Sequence, residues 1–300
     1  MSRRFVGFAS RPASLDAHVF GGFPRGLRKL GYVEGKNLSI EWRFADGQQD
    51  KLAGLMAELV RAQVDVIVVS AGAAALAAQK ATSTIPVVFA AVNDPVNLGL
   101  VKTLAHPGGN ITGRANITDD LGPKRMQLLL SMVPKVSRMA VLLDTSGASQ
   151  ARASDMLETA MRQRRVKLVR MQAGNPQEIE QRFASMRREK IDALMVLFTP
   201  LFNQQRKQIA DLAAKYRVPT VTGDRFFVEA GCLMSYGASL TDDFHRLATY
   251  VDKILKGTKP SSLPVEQPVR FELIINGKTA KLLGLKITPE LLIQAEKVIE

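Results

Sequence analysis

Val66-Ile67-Val68-Val69-Ser70-Ala71-Gly72 passes from four branched apolar residues to three small ones, and the alanine-rich stretch Ala73–Lys80 follows at once. A short apolar run bounded by small residues reads as a strand buried on both faces. The strand is expected over Asp65–Ser70 and the helix over Ala73–Lys80. A buried strand handing directly to a helix is the repeating unit of a parallel α/β sheet.

The same rhythm extends in both directions. Upstream, Phe5–Ala9 and Asn37–Phe44 read as strands. Val19–Leu30 reads as a helix ending at Gly31, and Asp50–Ala62 as one with Leu52, Leu55, Met56, Leu59 and Val60 on one face. Downstream, Pro86–Ala91 is a strand and Leu98–Leu104 a short helix before Pro107-Gly108-Gly109. Near Ile111–Asn116 the pattern restarts. Helices are expected at Leu121–Met132, Ala151–Arg164, Pro176–Glu189 and Asn203–Tyr216. Strands are expected at Arg138–Asp144, Lys167–Gln172, Ala193–Phe198 and Pro219–Thr222. In the tail, Leu233–Tyr236 and Arg270–Ile275 read as strands, Asp242–Lys256 and Gly277–Leu283 as helical, and Pro289–Val298 as a last amphipathic segment. The expectation is an α/β chain of two doubly wound, Rossmann-like lobes. Lobe 1 takes residues 1–115 with 239–267 returning to it; lobe 2 takes 116–238 with 268–300. Crossings are expected near Gly113–Asn116, Gly237–Ser239 and Pro268–Phe271, a multi-strand hinge.

Composition narrows the function. Three hundred residues suit two ordinary lobes better than one core. Lysine and arginine exceed acids by 41 − 28 = 13. That excess is scattered over helical segments with interleaved acids, as in Arg187-Arg188-Glu189-Lys190, so solvated faces are expected rather than a nucleic-acid footprint. Cys232 stands alone and cannot pair within the chain, while His18, His106 and His245 lie far apart. No metal or cofactor is called for. The apolar runs are too short to span a bilayer. The chain opens Met-Ser-Arg-Arg and enters a strand, without the pattern of a secretory signal. That fits a cytoplasmic protein or one whose leader has been removed. Nucleotide, nucleophile-elbow and zincin motifs are absent, which weighs against an enzyme.

In open parallel sheets, ligands gather beyond the carboxyl ends of the strands. Those ends supply Ser10, Ser70-Ala71-Gly72, Asn93-Asp94, Asp144 with Ser146, Thr199 and Asp224. Backbone N–H groups at Ala71 and Gly72, beside the Ser70 hydroxyl, suit a carboxylate or a phosphate; an ordinary helix start is the alternative. Asp224 or Asp144, with Thr199, suits an ammonium group; each also suits a turn or a helix cap. Asp119-Asp120 and Asp242-Asp243 lie where helices begin and favour the dipole there.

Several stretches together resemble a known family. They are Gly26-Leu27-Arg28-Lys29-Leu30-Gly31-Tyr32-Val33-Glu34-Gly35-Lys36-Asn37, Ile85-Pro86-Val87-Val88-Phe89, Asp94-Pro95-Val96, Pro107-Gly108-Gly109-Asn110-Ile111-Thr112-Gly113 and Gly231-Cys232-Leu233-Met234-Ser235-Tyr236-Gly237. Ala248–Gly257 and Leu263–Pro268 extend the likeness into the tail. The chain is similar to ABC-transporter substrate-binding proteins of the tryptophan/tyrosine type. The resemblance implies a type I periplasmic-binding fold, with a small ligand held between lobes that close about a three-stranded hinge. It further implies a periplasmic or lipid-anchored location, an amino-acid ligand (aromatic or branched), a membrane permease as partner, and no catalysis. Cys232 departs from the family, where a second glycine is usual. A cytoplasmic sensor domain of a regulator and an enzyme on a doubly wound fold are the alternatives.

Overall fold

The computed structural model describes residues 4–10, 21–45, 48–116, 121–133, 135–144 and 148–300. The chain divides into two compact units. Unit 1 comprises Met1–Ile117 with Leu240–Val269, and unit 2 comprises Thr118–Ser239 with Arg270–Glu300. In chain order, unit 1 opens with β1 (Arg4–Ser10), α1 (Gly22–Lys29), β2 (Leu38–Phe44), α2 (Leu52–Arg61), β3 (Val66–Ser70), α3 (Gly72–Ala81), β4 (Val87–Asn93) and β5 (Ile111–Asn116). Unit 2 follows with α4 (Gly122–Met132), β6 (Arg138–Leu143), α5 (Ala148–Gln163), β7 (Lys167–Gln172), α6 (Pro176–Met186) and β8 (Ala193–Val196). It continues with α7 (Pro200–Gln204), α8 (Arg206–Tyr216), β9 (Thr220–Thr222), α9 (Arg225–Glu229) and β10 (Met234–Ala238). Unit 1 then receives α10 (Leu240–Leu255). Unit 2 ends with β11 (Phe271–Asn276), α11 (Gly277–Leu283), α12 (Pro289–Gln294) and β12 (Ala295–Ile299).

The unit 1 sheet has the order β2-β1-β3-β4-β5, with every pair parallel. Its middle strand is β3, and Val66 to Val69 are all fully buried. Helices on both faces remove the solvent side that would otherwise select polar residues. On one face Met56 and Leu59 of α2 and Ala74, Ala75 and Ala78 of α3 pack against Ile67, Val69 and Phe89. Elsewhere in the unit α1 lies against α10 at backbone distance. A Cβ on Gly22 would come within 2.4 Å of the Thr241 carbonyl oxygen, and one on Gly26 within 2.5 Å of that of His245. Tyr32 Oη, just beyond α1, donates to Asp252 Oδ1 at 3.0 Å. These pairings advance together along both helices, so α1 and α10 run parallel.

Unit 2 carries a seven-stranded sheet of order β12-β11-β10-β9-β8-β6-β7, antiparallel only between β10 and β11. Alternation along β6 divides its core between the two faces. Met139, Val141 and Leu143 join α4 and α5 residues such as Leu129 and Leu157. Ala140 and Leu142 join Ile179, Phe183, Phe202 and Ile209. The expected two-unit α/β architecture is thus observed.

Four local readings change. Leu98–Leu104 is not a helix: the N–H groups of Lys102 and Thr103 bond to the carbonyls of Pro107 and His106, and Gly99 has φ +70°. The amphipathic segment expected over Pro289–Val298 is helical only to Gln294, and Ala295–Ile299 becomes a strand beside β11. There the open edge of the sheet outweighs local helix preference. Asn203–Tyr216 is broken at Gln205 (φ −91°, ψ 14°), which separates α7 from α8. The short helix α9 was not anticipated.

Candidate functional site

In unit 1 the strands β1, β3 and β4 are neighbours and parallel, so Ser10, Ser70 and Asn93 end on one carboxyl edge. Ser70 is half-buried and closes β3. Ala71 follows with φ +73° and ψ 156°, a region that favours glycine. Its own N–H still bonds to Ala90 O at 3.0 Å, so the chain leaves the sheet ladder and turns within one residue. Gly72 then begins α3, whose N-cap position Ala71 offers no side-chain cap. The first N–H groups of a helix have no partner within it.

The neighbouring strand end is also shaped by its backbone. Register shifts between Phe89 and Val92 of β4, where Ala91 takes φ +53°. Across from it Gly113 approaches so closely that a Cβ would lie 2.1 Å from Phe89 O, at φ +152°. That bulge sets the direction of half-buried Asn93. Asp94, exposed and at φ +47°, accepts from Asn97 N at 3.3 Å and from Asn97 Nδ2 at 2.5 Å. Its carboxylate holds the turn after β4.

In unit 2 the strands β6, β8 and β9 are neighbours and parallel. Asp144, Thr199 and Asp224 accordingly follow their carboxyl ends on one edge; Ser146 lies outside the described residues. Thr199 is the N-cap of α7, its Oγ1 accepting from Phe202 N at 3.1 Å. Asp224 is the N-cap of α9, its Oδ1 accepting from Phe226 N at 2.9 Å. Both are almost fully buried. The capping role anticipated as an alternative for Asp224 is therefore filled, and Thr199 caps a helix as well. Asp224 is nonetheless a buried carboxylate at this strand end. Asp144 is half-buried. Cys232 is fully buried in the core beside Phe227, and burial pushes its thiol up to about 12. It is an inert core residue.

Two buried arginines escaped the sequence reading. Arg114 of β5 is only 3% exposed. Its Nε and Nη2 donate to Asp243 Oδ1 at 2.9 and 2.7 Å, and its Nη1 to Glu266 Oε2 at 2.5 Å. Burial pushes the Asp243 carboxyl above its ordinary value, while the Arg114 guanidinium pulls it the other way. All three residues lie within four positions of a point where the chain passes between the units. In unit 2, Arg125 of α4 is 1% exposed, and its Nε donates to the Tyr236 carbonyl of β10 at 2.7 Å. A charge inside an apolar strand or helix was the available signal. Its partners, 129 and 152 residues away for Arg114, were not legible. Of the acidic pair Asp242-Asp243, both in the first turn of α10, Asp243 serves Arg114 rather than the helix dipole alone. Asp119-Asp120 lies outside the described residues. Among the described residues there is no group of three metal-ligating side chains, and no helix is long and apolar enough to cross a membrane.

Two units of mainly parallel sheet, each with polar residues gathered at the strand carboxyl ends, have the type I periplasmic-binding-protein fold. More narrowly, the chain belongs to the ABC transporter substrate binding protein family, which it matches over residues 7–299. It is 26% identical over 265 residues to the tyrosine-binding protein of Clostridioides difficile (strain R20291), covering 88% of this chain and 76% of that one. The crystal structure of an ABC domain from Streptococcus pneumonia in complex with L-Trp superposes with TM-score 0.90 at 25% identity, over 99% of this chain and 100% of that one. A conserved domain protein from Vibrio cholerae gives TM-score 0.89 at 27% identity, again over 99% and 100%.

Proposed function

We propose that this protein is the extracytoplasmic solute receptor of an ABC importer, that its ligand is an amino acid with an aromatic or branched side chain, and that it binds without transforming it. The single observation that carries this reading is the likeness over 99% of the chain to a structure holding L-Trp. The tyrosine-binding relative supports the same ligand class.

The carboxylate of the ligand goes to the unit 1 rim, to the Ser70 hydroxyl and the amides of Ala71 and Gly72. Ser10, Asn93 and Asp94 border that rim. The ammonium group goes to the unit 2 rim, to Asp224 or Asp144, with Thr199 as a polar neighbour. The strained Ala71 backbone supports this choice, because such conformations concentrate at ligand clamps. The ligand-bound form is what a membrane permease then reads.

A thermal-shift screen against the amino acids tests the reading. A ligand present at about a thousand times its Kd adds about 4 kcal/mol of stability. The expected result is a shift with tryptophan, tyrosine or a branched amino acid, with the ligand recovered chemically unchanged. Ser70→Ala and Asp224→Asn should abolish it, the asparagine keeping the helix cap while removing the charge. Stabilisation by sugars alone, or by no amino acid, overturns the proposal.

A further inference from the structure

α1 lies between the carboxyl end of β1 and the amino end of β2, so its C-terminus reaches the sheet edge opposite the candidate ligand rim. α10 runs parallel beside it and ends at the same edge. Exposed cations collect there: Arg28 and Lys29 in the last turn of α1, Lys253 in the last turn of α10, and Lys256 just after it. Lys36 adds another from the loop before β2. That loop is held in shape by Asn37, whose Nδ2 donates to Gly31 O at 2.9 Å and whose Oδ1 accepts from Val33 N at 2.7 Å. The acids nearby do not balance these charges. Asp252 is buried and already bonded to Tyr32 and Lys256, which leaves Glu34 as the exposed acid of the Gly31–Asn37 loop.

A helix C-terminus attracts a cation or two through its dipole. That accounts for Arg28, Lys29 and Lys253, but not for Lys36. Nor does it account for Leu30 and Val33, apolar side chains 38% and 36% exposed among the charges. Cations together with exposed aliphatic side chains are what an anionic bilayer surface binds: the charges meet lipid phosphates and the aliphatic groups enter the acyl boundary.

We propose that the paired C-termini of α1 and α10, with the Gly31–Asn37 loop, form a surface that docks on anionic phospholipid. The choice of lipid over an acidic protein rests on the membrane-side location proposed above. The chain also enters the unit 1 sheet at this edge, Arg4 standing opposite Leu38.

Cosedimentation of the full chain with vesicles tests the proposal directly and does not depend on the solute. Binding is expected to vesicles of phosphatidylcholine containing about one third phosphatidylglycerol, with none to phosphatidylcholine alone, and with release at about 0.5 M salt. Arg28→Glu/Lys29→Glu/Lys253→Glu should weaken binding by more than about tenfold. Arg187→Glu/Arg188→Glu/Lys190→Glu, an equal change of charge on exposed residues of unit 2, should leave it intact. Leu30→Ser/Val33→Ser should weaken it severalfold with every charge in place. Thermal unfolding establishes that each variant is folded. No binding to anionic vesicles, the result an acidic protein partner would give, overturns the proposal. So does equal loss in the two charge-reversal variants, which would mean that net charge alone is responsible. Amino-acid binding retained by the first triple variant separates this surface from the solute site.

Discussion

Asp192 precedes β8, and its Oδ2 accepts three hydrogen bonds: from Ser137 N at 2.8 Å, Ser137 Oγ at 2.9 Å and Arg138 N at 2.9 Å. Desolvation raises this carboxyl, but the backbone and hydroxyl donors outweigh it and hold it below its ordinary value. The folded state therefore binds the charged form better than the unfolded chain does. Its contribution is present above the ordinary carboxylate range and is lost as pH falls through the lowered folded value. Asp192→Asn should cost about 1 kcal/mol at neutral pH, kept modest by solvent screening. Urea denaturation should show the gap to wild type narrowing as pH falls below the ordinary carboxylate range. A gap that persists there would assign the effect to something other than charge. At this scale the sequence was only partly legible. Thr199 and Asp224 were recognisable as polar residues at strand ends, but the short helices they cap were not. That Asp192 collects donors from a loop 55 residues earlier was not.

Elements were more legible than residues wherever burial and local preference agree. β3 and α3 follow from valines and alanines that no other arrangement buries so fully, and the close packing of α1 follows from its glycines once α10 is known. Gly26 shows how tight that packing is: a Cβ would meet His245 O at 2.5 Å and Ala248 Cβ at 2.7 Å. Gly54, exposed within α2, would meet nothing within 4 Å. Gly26→Ala should therefore destabilise by about 1–3 kcal/mol, whereas Gly54→Ala should stabilise by about 0.5–1 kcal/mol. Equal effects in equilibrium unfolding would contradict the contact. Elements failed to show in the sequence where tertiary demand overrode preference. In the 98–104 stretch Lys102 and Thr103 gave their backbone donors to Pro107 and His106, and Ala295–Ile299 took the open edge of β11.

Across the whole molecule, the chain passes between the units at three points, and buried arginines hold the adjoining segments within each unit. Arg114 ties β5, the start of α10 and the Glu266 segment together in unit 1. Arg125 holds the β10 carbonyl of Tyr236 in unit 2. Arg114→Met leaves Asp243 buried without its partner and should cost about 3–5 kcal/mol in equilibrium unfolding. Arg114→Met/Asp243→Leu should recover most of that loss; a double variant as unstable as the single one would show that packing, not charge, was removed. The discontinuity of unit 1 also has a temporal side. Its sheet is synthesised by Asn116, yet α10, which covers Gly22 and Gly26 of α1, emerges more than a hundred residues later, after most of unit 2. On the ribosome the first unit thus waits, unfinished, for the second. The first unit is completed only once α10, which follows most of unit 2 in the chain, takes its place.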